Sequence, residues 1–568
     1  MNGNPLATNQ RTIAPRPPEA VMQLAAMGAS HATRLSFMRI LLRRLKRENW
    51  RFERRIFDFD GKGVGTAVYV AHSPQHAYSL VCFGHDLPPE MRSDRVIATA
   101  WDATFCLHDG IPDSTTIERL RHNIPLQEAG RVTASELSVS RANRSVRLFD
   151  HVVDSLAAGH QPDIARLTET GYLMRTTAVY GSGKLGACDR EAISGRPEFE
   201  APFQVEMLSV YLTRTFILDL VEAMAQKRSP DSATRLDPKL RRSLGVGNST
   251  GLGMAPFLVN HPALLNNWIS AREQALARVR NLDSATPQQI TLFTDLFQHA
   301  RRNAIQWHTD NAMQQQRIDT LNANLANVSD QMLRKLLTSP RPWNALYEWA
   351  EATLCAEGRE LVAALLLEPH GELVDDLCQT MSADESSGFR IDGTMKVATM
   401  LAILRHVHGS MLDQDWSKPD AIARIWYYSA EKLEPRLGER FDEPLDAFEQ
   451  PLSPARDAAT MARDLSLCDG DSSLAEFLLA HPEHRHTARR AQLAARLPYA
   501  EIRDNTIAAS MLPIDLLRCK LSFFGAQHFD PRSDRWIRIN MFRGAPFPDE
   551  LGQSDADFWP YAEAVAGG

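Results

Sequence analysis

Apolar runs rich in β-branched and aromatic residues recur in several short stretches near the N-terminus, and these runs predict β-strands. The stretches read RRIFDFD, GTAVYVAHS, AYSLVCFG and DRVIATAWDATFCLHDG, and turn-type segments separate them. Because parallel neighbours need a crossover of about a dozen residues or more, such short connections predict antiparallel pairing. The pattern therefore predicts an antiparallel β-meander over about residues 54–108, packed on helices.

Helical periodicity dominates the rest of the chain and predicts a mainly α protein with an N-terminal α+β region and then a large helical domain. The stretch FQVEMLSVYLTRTFILDLVEAMA is apolar almost all round, which predicts a central buried helix. No internal repeat is evident. A late run, DRWIRINMF, predicts one more strand. We expect a flexible tail over residues 1–25, an α+β domain over 26–165 and a helical core domain over 166–435. A linker or wrapping arm follows over 436–457, and a C-terminal helical segment with the late strand over 458–568.

Residues 33–49 predict an amphipathic helix with an apolar stripe and three arginines on the opposite face, Arg39, Arg43 and Arg47. A basic helix of this kind can bind RNA or a membrane. The whole chain, however, has a formal net charge of −7, and arginine stems on a solvated helix face are common. We therefore expect these arginines to face solvent, and we expect neither a nucleic-acid nor a membrane partner.

Composition supports a soluble globular protein, with 44% hydrophobic and 23% charged residues. No apolar run approaches the ~20 residues that span a bilayer. The N-terminus is polar and proline-rich, and the seven cysteines are scattered without a C-x-x-C pair. We expect a cytoplasmic protein that needs neither structural zinc nor a disulfide to fold, and a homo-oligomer is possible.

Two glycine-rich segments carry the candidate chemistry, GVGNSTGLGMAP at 245–256 and VYGSGKLG at 179–186. The letters GNSTGLG, together with Tyr428 and Lys432 in YSAEK, resemble the cofactor motifs of short-chain dehydrogenases. That cofactor loop follows a buried hydrophobic strand, whereas DPKLRRSLGVG is charged and helix-like, so we reject a dehydrogenase. A P-loop is excluded because Leu185 stands where a magnesium-binding hydroxyl is needed.

The same stretch offers two further resemblances. GNSTG fits the G-x-S-x-G elbow of serine hydrolases around Ser249, although the elbow also requires a preceding strand. The order of serine, GMAP and asparagine faintly resembles the mobile serine loop of the fumarase and aspartase superfamily, with Phe257 where a lysine is wanted. The second resemblance implies that a helical bundle can host elimination chemistry.

Histidine clusters are the candidate metal ligands, with His406 and His408 in one segment and His481, His484 and His486 in another. Alternating histidines on a helix point apart, and an i,i+3 pair can share a metal only with a third ligand. We interpret these residues as surface histidines near helix ends, and we expect no metal and no cofactor.

The two glycine-rich segments flank the predicted buried helix, in which Glu206 and Arg214 interrupt the apolar sequence. Buried charges cost several kcal/mol each unless they are paired or used. The structural interpretation is an internal salt-bridge network. The functional one is the polar wall of a small-molecule site between the two glycine-rich loops.

From this arrangement we expect an enzyme that acts on a small anionic metabolite, by proton abstraction with elimination or by hydrolysis. The alternative is a non-catalytic helical binding or scaffold protein, with the glycine-rich loops as hinges. In the enzyme, Lys184 and Ser249 face a common cavity and lie within about 20 Å of each other. The expected catalytic residues are Lys184, Ser249 and Glu206, and the expected substrate-binding residues are Arg175, Ser182, Arg214, Asn248 and Thr250.

Overall fold

A computed structural model gives the fold of this chain. It describes residues 12–91, 100–126, 133–177, 193, 195–251, 254, 258, 261–381, 389–419, 426–429, 436–437, 449–503, 512–530 and 536–552. Helices are the commonest elements of this described part, as the sequence predicts. None of its helices is both long and apolar enough to cross a membrane.

Nine strands form one large sheet. They are β1 Arg51–Phe59, β2 Gly65–His72, β3 Ala77–Gly84, β4 Ala103–Asp109, β5 Glu136–Arg144, β6 Tyr172–Thr177, β7 Gly245–Gly251, β11 Gln527–Asp530 and β12 Trp536–Met541. Their order across the sheet is β1-β2-β3-β4-β5-β6-β7-β12-β11. A separate small sheet contains β8 Trp426–Ser429, β9 Arg436–Leu437 and β10 Glu449–Leu452.

The helices follow and connect these strands. They are α1 Pro18–Val21, α2 Leu24–Met27, α3 Phe37–Arg47, α4 Ser114–Asn123, α5 Phe149–Ala157, α6 Ile164–Thr170, α7 Gln204–Arg228, α8 Pro238–Ser243, α9 Pro262–Arg280, α10 Pro287–Ile305, α11 Ala312–Ala326, α12 Asp330–Leu337, α13 Pro342–Thr353, α14 Ala356–Leu365, α15 Gly371–Val374, α16 Val397–Leu412, α17 Pro454–Leu465, α18 Leu474–Ala480, α19 Arg485–Arg496 and α20 Pro513–Cys519. A π-helix, Lys520–Phe524, directly follows α20.

The large sheet is mixed, so the prediction of a purely antiparallel meander is only partly right. Neighbouring strands from β1 to β6 are antiparallel, as the short connections predict. The pair β6–β7 is parallel, and α7 and α8 lie in its crossover. This arrangement follows the general rule that parallel neighbours are joined through a helix. The late strand β12 then adds to β7 antiparallel.

The two faces of the sheet have different covers. The predicted central helix, α7, packs on one face, where Phe216 contacts the rings of Phe59 and Phe105. The helix α4 covers the opposite face near β2 to β5 through Ile117 and Leu120. Hence α7 is buried on nearly all sides, as its uniformly apolar sequence predicts.

The helix α3 differs from its prediction at two of its three arginines. The Arg43 side chain, expected in solvent, is only 16% exposed and donates from Nη2 to the Arg34 carbonyl at 2.7 Å. Arg39, expected in solvent, is only 2% exposed and donates from Nη1 and Nη2 to the Glu368 carboxylate at 2.6 and 2.8 Å. Its Nη1 also donates to the Ala32 carbonyl. Arg47 does lie in solvent. The correction has a simple cause: a carboxylate from a distant part of the chain makes burial of Arg39 possible.

The glycine-rich stretch 245–251, predicted as a loop, is the strand β7. Glycine has a low strand propensity because it offers no side chain to pack, but here close contacts require it. A Cβ on Gly247 would lie 2.6 Å from a ring carbon of Tyr172, and a Cβ on Gly245 would lie 2.6 Å from the Met541 carbonyl oxygen. The stretch is therefore a strand against whose backbone the neighbouring groups pack directly.

Helices α16 to α19 have a small core of their own, which we call the C-terminal helical unit. Two Asp-Gly loops, 392–396 and 469–473, pair within it through an antiparallel bridge. In each loop the aspartate accepts the amide N–H two residues later. The pairing is symmetric: Ala398 N–H donates to Gly470 O, and Ala475 N–H donates to Gly393 O. The sequence pattern did not reveal this local repeat.

Candidate functional site

Arg214 of α7 binds the main chain through all three guanidinium nitrogens. It donates to the carbonyls of Leu244, Ala545 and Arg242 at 2.7, 2.7 and 2.9 Å, and its guanidinium carbon lies 4.1 Å from the Phe547 ring centroid. The side chain is 1% exposed, and burial lowers its pKa to about 9. These contacts fasten the start of β7 to the 542–547 segment, which is a structural role.

Glu206 lies in the first turn of α7 and is 5% exposed. It is therefore on the same side of the sheet as Arg214, two turns earlier along the helix. The partners of Arg214 given above are carbonyl oxygens, so the internal salt-bridge network expected from the sequence does not explain this arginine.

Strand geometry separates two of the predicted substrate-binding residues. Asn248 donates from Nδ2 to the Thr176 carbonyl at 3.2 Å and so ties β7 to β6. Arg175 is in register with Gly247, the residue that precedes Asn248 in β7. Because successive strand positions alternate between faces, Asn248 belongs to the face that α7 covers and Arg175 to the opposite face.

Two of the remaining predicted residues lie on β7, and two lie outside the described residues. Ser249 and Thr250 are strand positions in register with Arg538 and Ile537 of β12, and Lys184 and Ser182 lie outside the described residues. The proximity of Lys184 and Ser249 therefore stays a prediction.

The face of the sheet opposite α7 contains a polar set that we call the arginine face. Its register brings side chains from three strands together. Asn143 of β5, Arg175 of β6, Gly247 of β7 and Asn540 of β12 are neighbours in one row. In the adjacent row, Arg141 pairs with position 177 and Arg538 with position 249. Three strand spacings of about 4.8 Å separate β5 from β12, so the backbone positions of Arg141 and Arg538 lie roughly 14 Å apart across the sheet. The arginine face consists of Arg141, Asn143, Arg175, Arg538 and Asn540.

Glycine lets an aromatic ring lie on the middle of this face. The Tyr172 ring lies against Gly247, in the row that contains Arg175 and Asn540. Arg175 is 6% exposed and Asn540 has no exposed surface. The centre of the arginine face is therefore a covered, polar environment with a flat aromatic ring between the polar groups.

The arginine face contains three guanidinium groups, those of Arg141, Arg175 and Arg538. The Arg141 guanidinium lies 3.6 Å from the Trp101 ring centroid, and burial lowers its pKa to about 10, so it stays protonated at neutral pH. Burial also lowers the pKa of Arg543, whose side chain lies beside Gly245.

Asn540 adds a buried acceptor. Its Nδ2 donates to the Thr170 carbonyl at 3.1 Å, which fixes the orientation of the amide. Its Oδ1 is fully buried, and no donor among the described residues reaches it. Buried polar atoms are normally satisfied, so this oxygen indicates a place where a donor group from a ligand or water fits.

A concave feature lies on the outer side of α4. It is an open depression, and Arg119 within it is held by the Glu136 carboxylate at 2.7 Å. Because the depression is open to solvent, we do not take it as the site. Its lining residues are Ser114, Thr115, Glu118, Arg119 and His122.

Comparisons with known proteins add no assignment: no protein-family model, no curated protein and no solved structure matches this chain. Sequence reasoning found Arg175 but missed the other members of the arginine face, Arg141, Asn143, Arg538 and Asn540. A signal existed, because RAN at 141–143 and RIN at 538–540 each place arginine and asparagine two positions apart, on one face of a strand. Only the register shows that these two strands flank the same pair, β6 and β7.

Proposed function

We propose that the protein binds a small anionic metabolite on the arginine face. The observation that supports this proposal most strongly is the burial of Arg175 in a row with Gly247 and Asn540, beside the second row with Arg141 and Arg538. A guanidinium is the side chain best suited to bind a carboxylate or phosphate through two parallel hydrogen bonds. The Asn540 oxygen complements this set, since it accepts a hydrogen bond from a hydroxyl or amino group of the same ligand.

The chemical half of the proposal is elimination or hydrolysis of that metabolite, with Lys184 and Ser249 as the reacting groups. Glu206, the third residue expected from the sequence, lies on α7 on the other side of the sheet and is left out of this role. Topology supports this half of the proposal. Because β6 and β7 are parallel, their last residues, Thr177 and Gly251, lie at the same end of the strands. The segments containing Lys184 and Gly253 follow these two strand ends. Ligands of α/β proteins bind at the carboxyl ends of parallel strands.

The alternative from the sequence, a non-catalytic scaffold, has less support. It calls for a large exposed apolar face. The large apolar side chains that are exposed among the described residues lie on different helices and loops, and they are Met91, Ile111, Val146, Ile305, Met313, Leu467 and Leu479.

The test is a thermal-shift screen of the full chain with inorganic phosphate, sulfate and mono-, di- and tricarboxylates. A ligand at 100 times its Kd stabilises the folded state by about 2.7 kcal/mol, which is readily measured. We expect at least one anion to raise the melting temperature of the wild type. We expect Arg175→Met to abolish this rise and Arg175→Lys, which keeps the charge, to retain part of it.

The matched control is Arg518→Met, because Arg518 is also a buried arginine, paired with Asp515 at 2.9 Å and not part of the arginine face. It should lower stability without removing the ligand response. The proposal fails if no anion shifts the wild type, or if the shift persists in Arg175→Met. Turnover of the identified ligand then separates an enzyme from a binding protein.

A further inference from the structure

The C-terminal helical unit brings together three side chains that suit a metal ion, away from the arginine face. They are Asp464 in the last turn of α17, and His481 and His484 at the junction of α18 and α19. One ligand atom from each lies within 4.8 Å of one ligand atom from each of the other two. The two histidines are the i,i+3 pair seen in the sequence, and Asp464 supplies the third ligand that such a pair requires.

Local structure explains why the two imidazoles converge. A single 3₁₀ turn, Pro482–His484, separates α18 from α19, so that His481 and His484 lie on the same side of the chain. The Phe477 ring stacks on both imidazoles, with centroid distances of 4.8 and 5.6 Å. Phe477 belongs to the core of the unit and is 4% exposed, so the imidazoles rest on a rigid support.

The distances suit a tetrahedral shell. His484 Nε2 lies 2.9 Å from Asp464 Oδ2, and Glu483 Oε1 lies 3.4 Å from His481 Nδ1 and 4.0 Å from His484 Nε2. Ligand atoms around a tetrahedral zinc ion lie about 3.3 Å apart, given metal–ligand bonds of about 2.0–2.1 Å. The three ligand atoms, all within 4.8 Å of one another, are therefore at most about 1.5 Å farther apart than in such a shell.

We propose that Asp464, His481 and His484 bind a divalent transition-metal ion, with Glu483 as an available fourth ligand. Imidazole nitrogens with one or two carboxylates favour zinc, nickel or copper over calcium and magnesium, which take oxygen ligands. His481 and Glu483 are 38% and 61% exposed in their side chains, so the ion can exchange with solvent. The unit has its own apolar core, and we expect the protein to fold without the metal.

Isothermal titration calorimetry with zinc chloride tests this proposal, on full-length protein purified without a histidine tag and treated with chelator. We expect the wild type to bind one zinc ion per chain at this site, and a large excess of calcium not to displace it. Replacement of a ligand in His481→Ala or Asp464→Asn should weaken binding by at least about tenfold, since loss of even an outer-shell partner costs 10–100-fold.

The matched control is His486→Ala, because His486 is an exposed histidine of the same segment that does not belong to the ligand group. It should bind zinc like the wild type. Absence of zinc binding in the wild type, or equal affinity in His481→Ala, would overturn the proposal, as would an equal loss in the His486→Ala control. Because His481 is half-exposed, its substitution should leave the far-UV circular dichroism unchanged. Should Asp464→Asn fail to fold, His481→Ala alone decides the question.

Discussion

A buried ion network fastens the N-terminal segment to the helical part of the chain, and its energy can be measured by neutralising one carboxylate. Arg16 donates from Nε and Nη2 to Glu273 at 2.7 and 2.9 Å, and from Nη1 to Glu360 at 2.7 Å. Arg272 donates to the same Glu273 carboxylate at 2.9 Å. Glu273 has no exposed side-chain surface. The perturbation is Glu273→Gln, which keeps the shape and removes the charge.

The expected loss follows from the carboxylate. Although burial alone raises the pKa of Glu273, its arginine neighbours more than offset this and lower the pKa from 4.5 to about 2. A difference of this size between the unfolded and folded states corresponds to about 3 kcal/mol of stability at neutral pH. Removing one partner of a buried ion pair costs a similar 3–5 kcal/mol or so, because the remaining charges stay buried. We therefore expect Glu273→Gln to lower the unfolding free energy by about 3 kcal/mol.

The sign of the pH dependence is determined by the same shift. A carboxyl group with a lowered folded-state pKa stabilises the fold above its unfolded pKa, and this contribution is lost as the pH falls towards the folded value. For Glu273 the loss occurs between about pH 4.5 and 2. Over this window the wild type should lose stability relative to Glu273→Gln, so that the gap between the two proteins narrows with acidification.

Urea unfolding monitored by tryptophan fluorescence measures the difference in unfolding free energy between the wild type and Glu273→Gln. The buried Trp268 is a suitable probe because it lies on the same helix, α9, as Glu273. The control is Glu118→Gln, whose exposed pair with Arg121 should contribute less than about 1 kcal/mol. A loss below about 1 kcal/mol for Glu273→Gln at neutral pH would refute the reasoning, and so would a gap that does not narrow at low pH.

Two further predictions follow from the glycine-rich segments. Gly247→Ala places a methyl group 2.6 Å from the Tyr172 ring and should cost about 1–3 kcal/mol in thermal unfolding. Gly409→Ala, with open space around it in α16, should be neutral or stabilising, and equal effects of the two substitutions would contradict the packing argument. From the sequence we also predict that Lys184→Met loses ligand binding or turnover by orders of magnitude with little change in melting temperature, whereas the control Lys46→Met changes neither. Equal, negligible effects in both lysine variants would leave Lys184 without a functional role.

Local patterns predicted those elements that can be identified from the residues of the segment alone. The apolar 203–225 stretch predicts a core helix, and α7 spans Gln204–Arg228 with burial on almost all sides. The β-branched and aromatic runs joined by short connections predict an antiparallel meander, and β1 to β4 pair in this way. The run DRWIRINMF predicts a strand, and β12 spans Trp536–Met541. In each case the segment itself carries the information, as an apolar run of helical length or as a short run of β-branched and aromatic residues.

Long-range pairing decided the rest. Arg39 resembles a solvated arginine until Glu368, 329 residues later, packs against it. Asp464 becomes a third ligand for His481 and His484 because helix packing in the C-terminal unit brings α17 beside the turn between α18 and α19.

The glycine-rich stretch shows most clearly that local sequence does not reveal long-range packing. Its composition indicates a loop, since glycine has no side chain to favour a strand. In the tertiary structure, Tyr172 on one neighbouring strand and Met541 on the other approach β7 so closely that only glycine fits at Gly247 and Gly245. The sequence by itself determined which segments have a regular, apolar periodicity. Only the tertiary structure decided which polar residues share a face, because that depends on the register between strands that are up to several hundred residues apart.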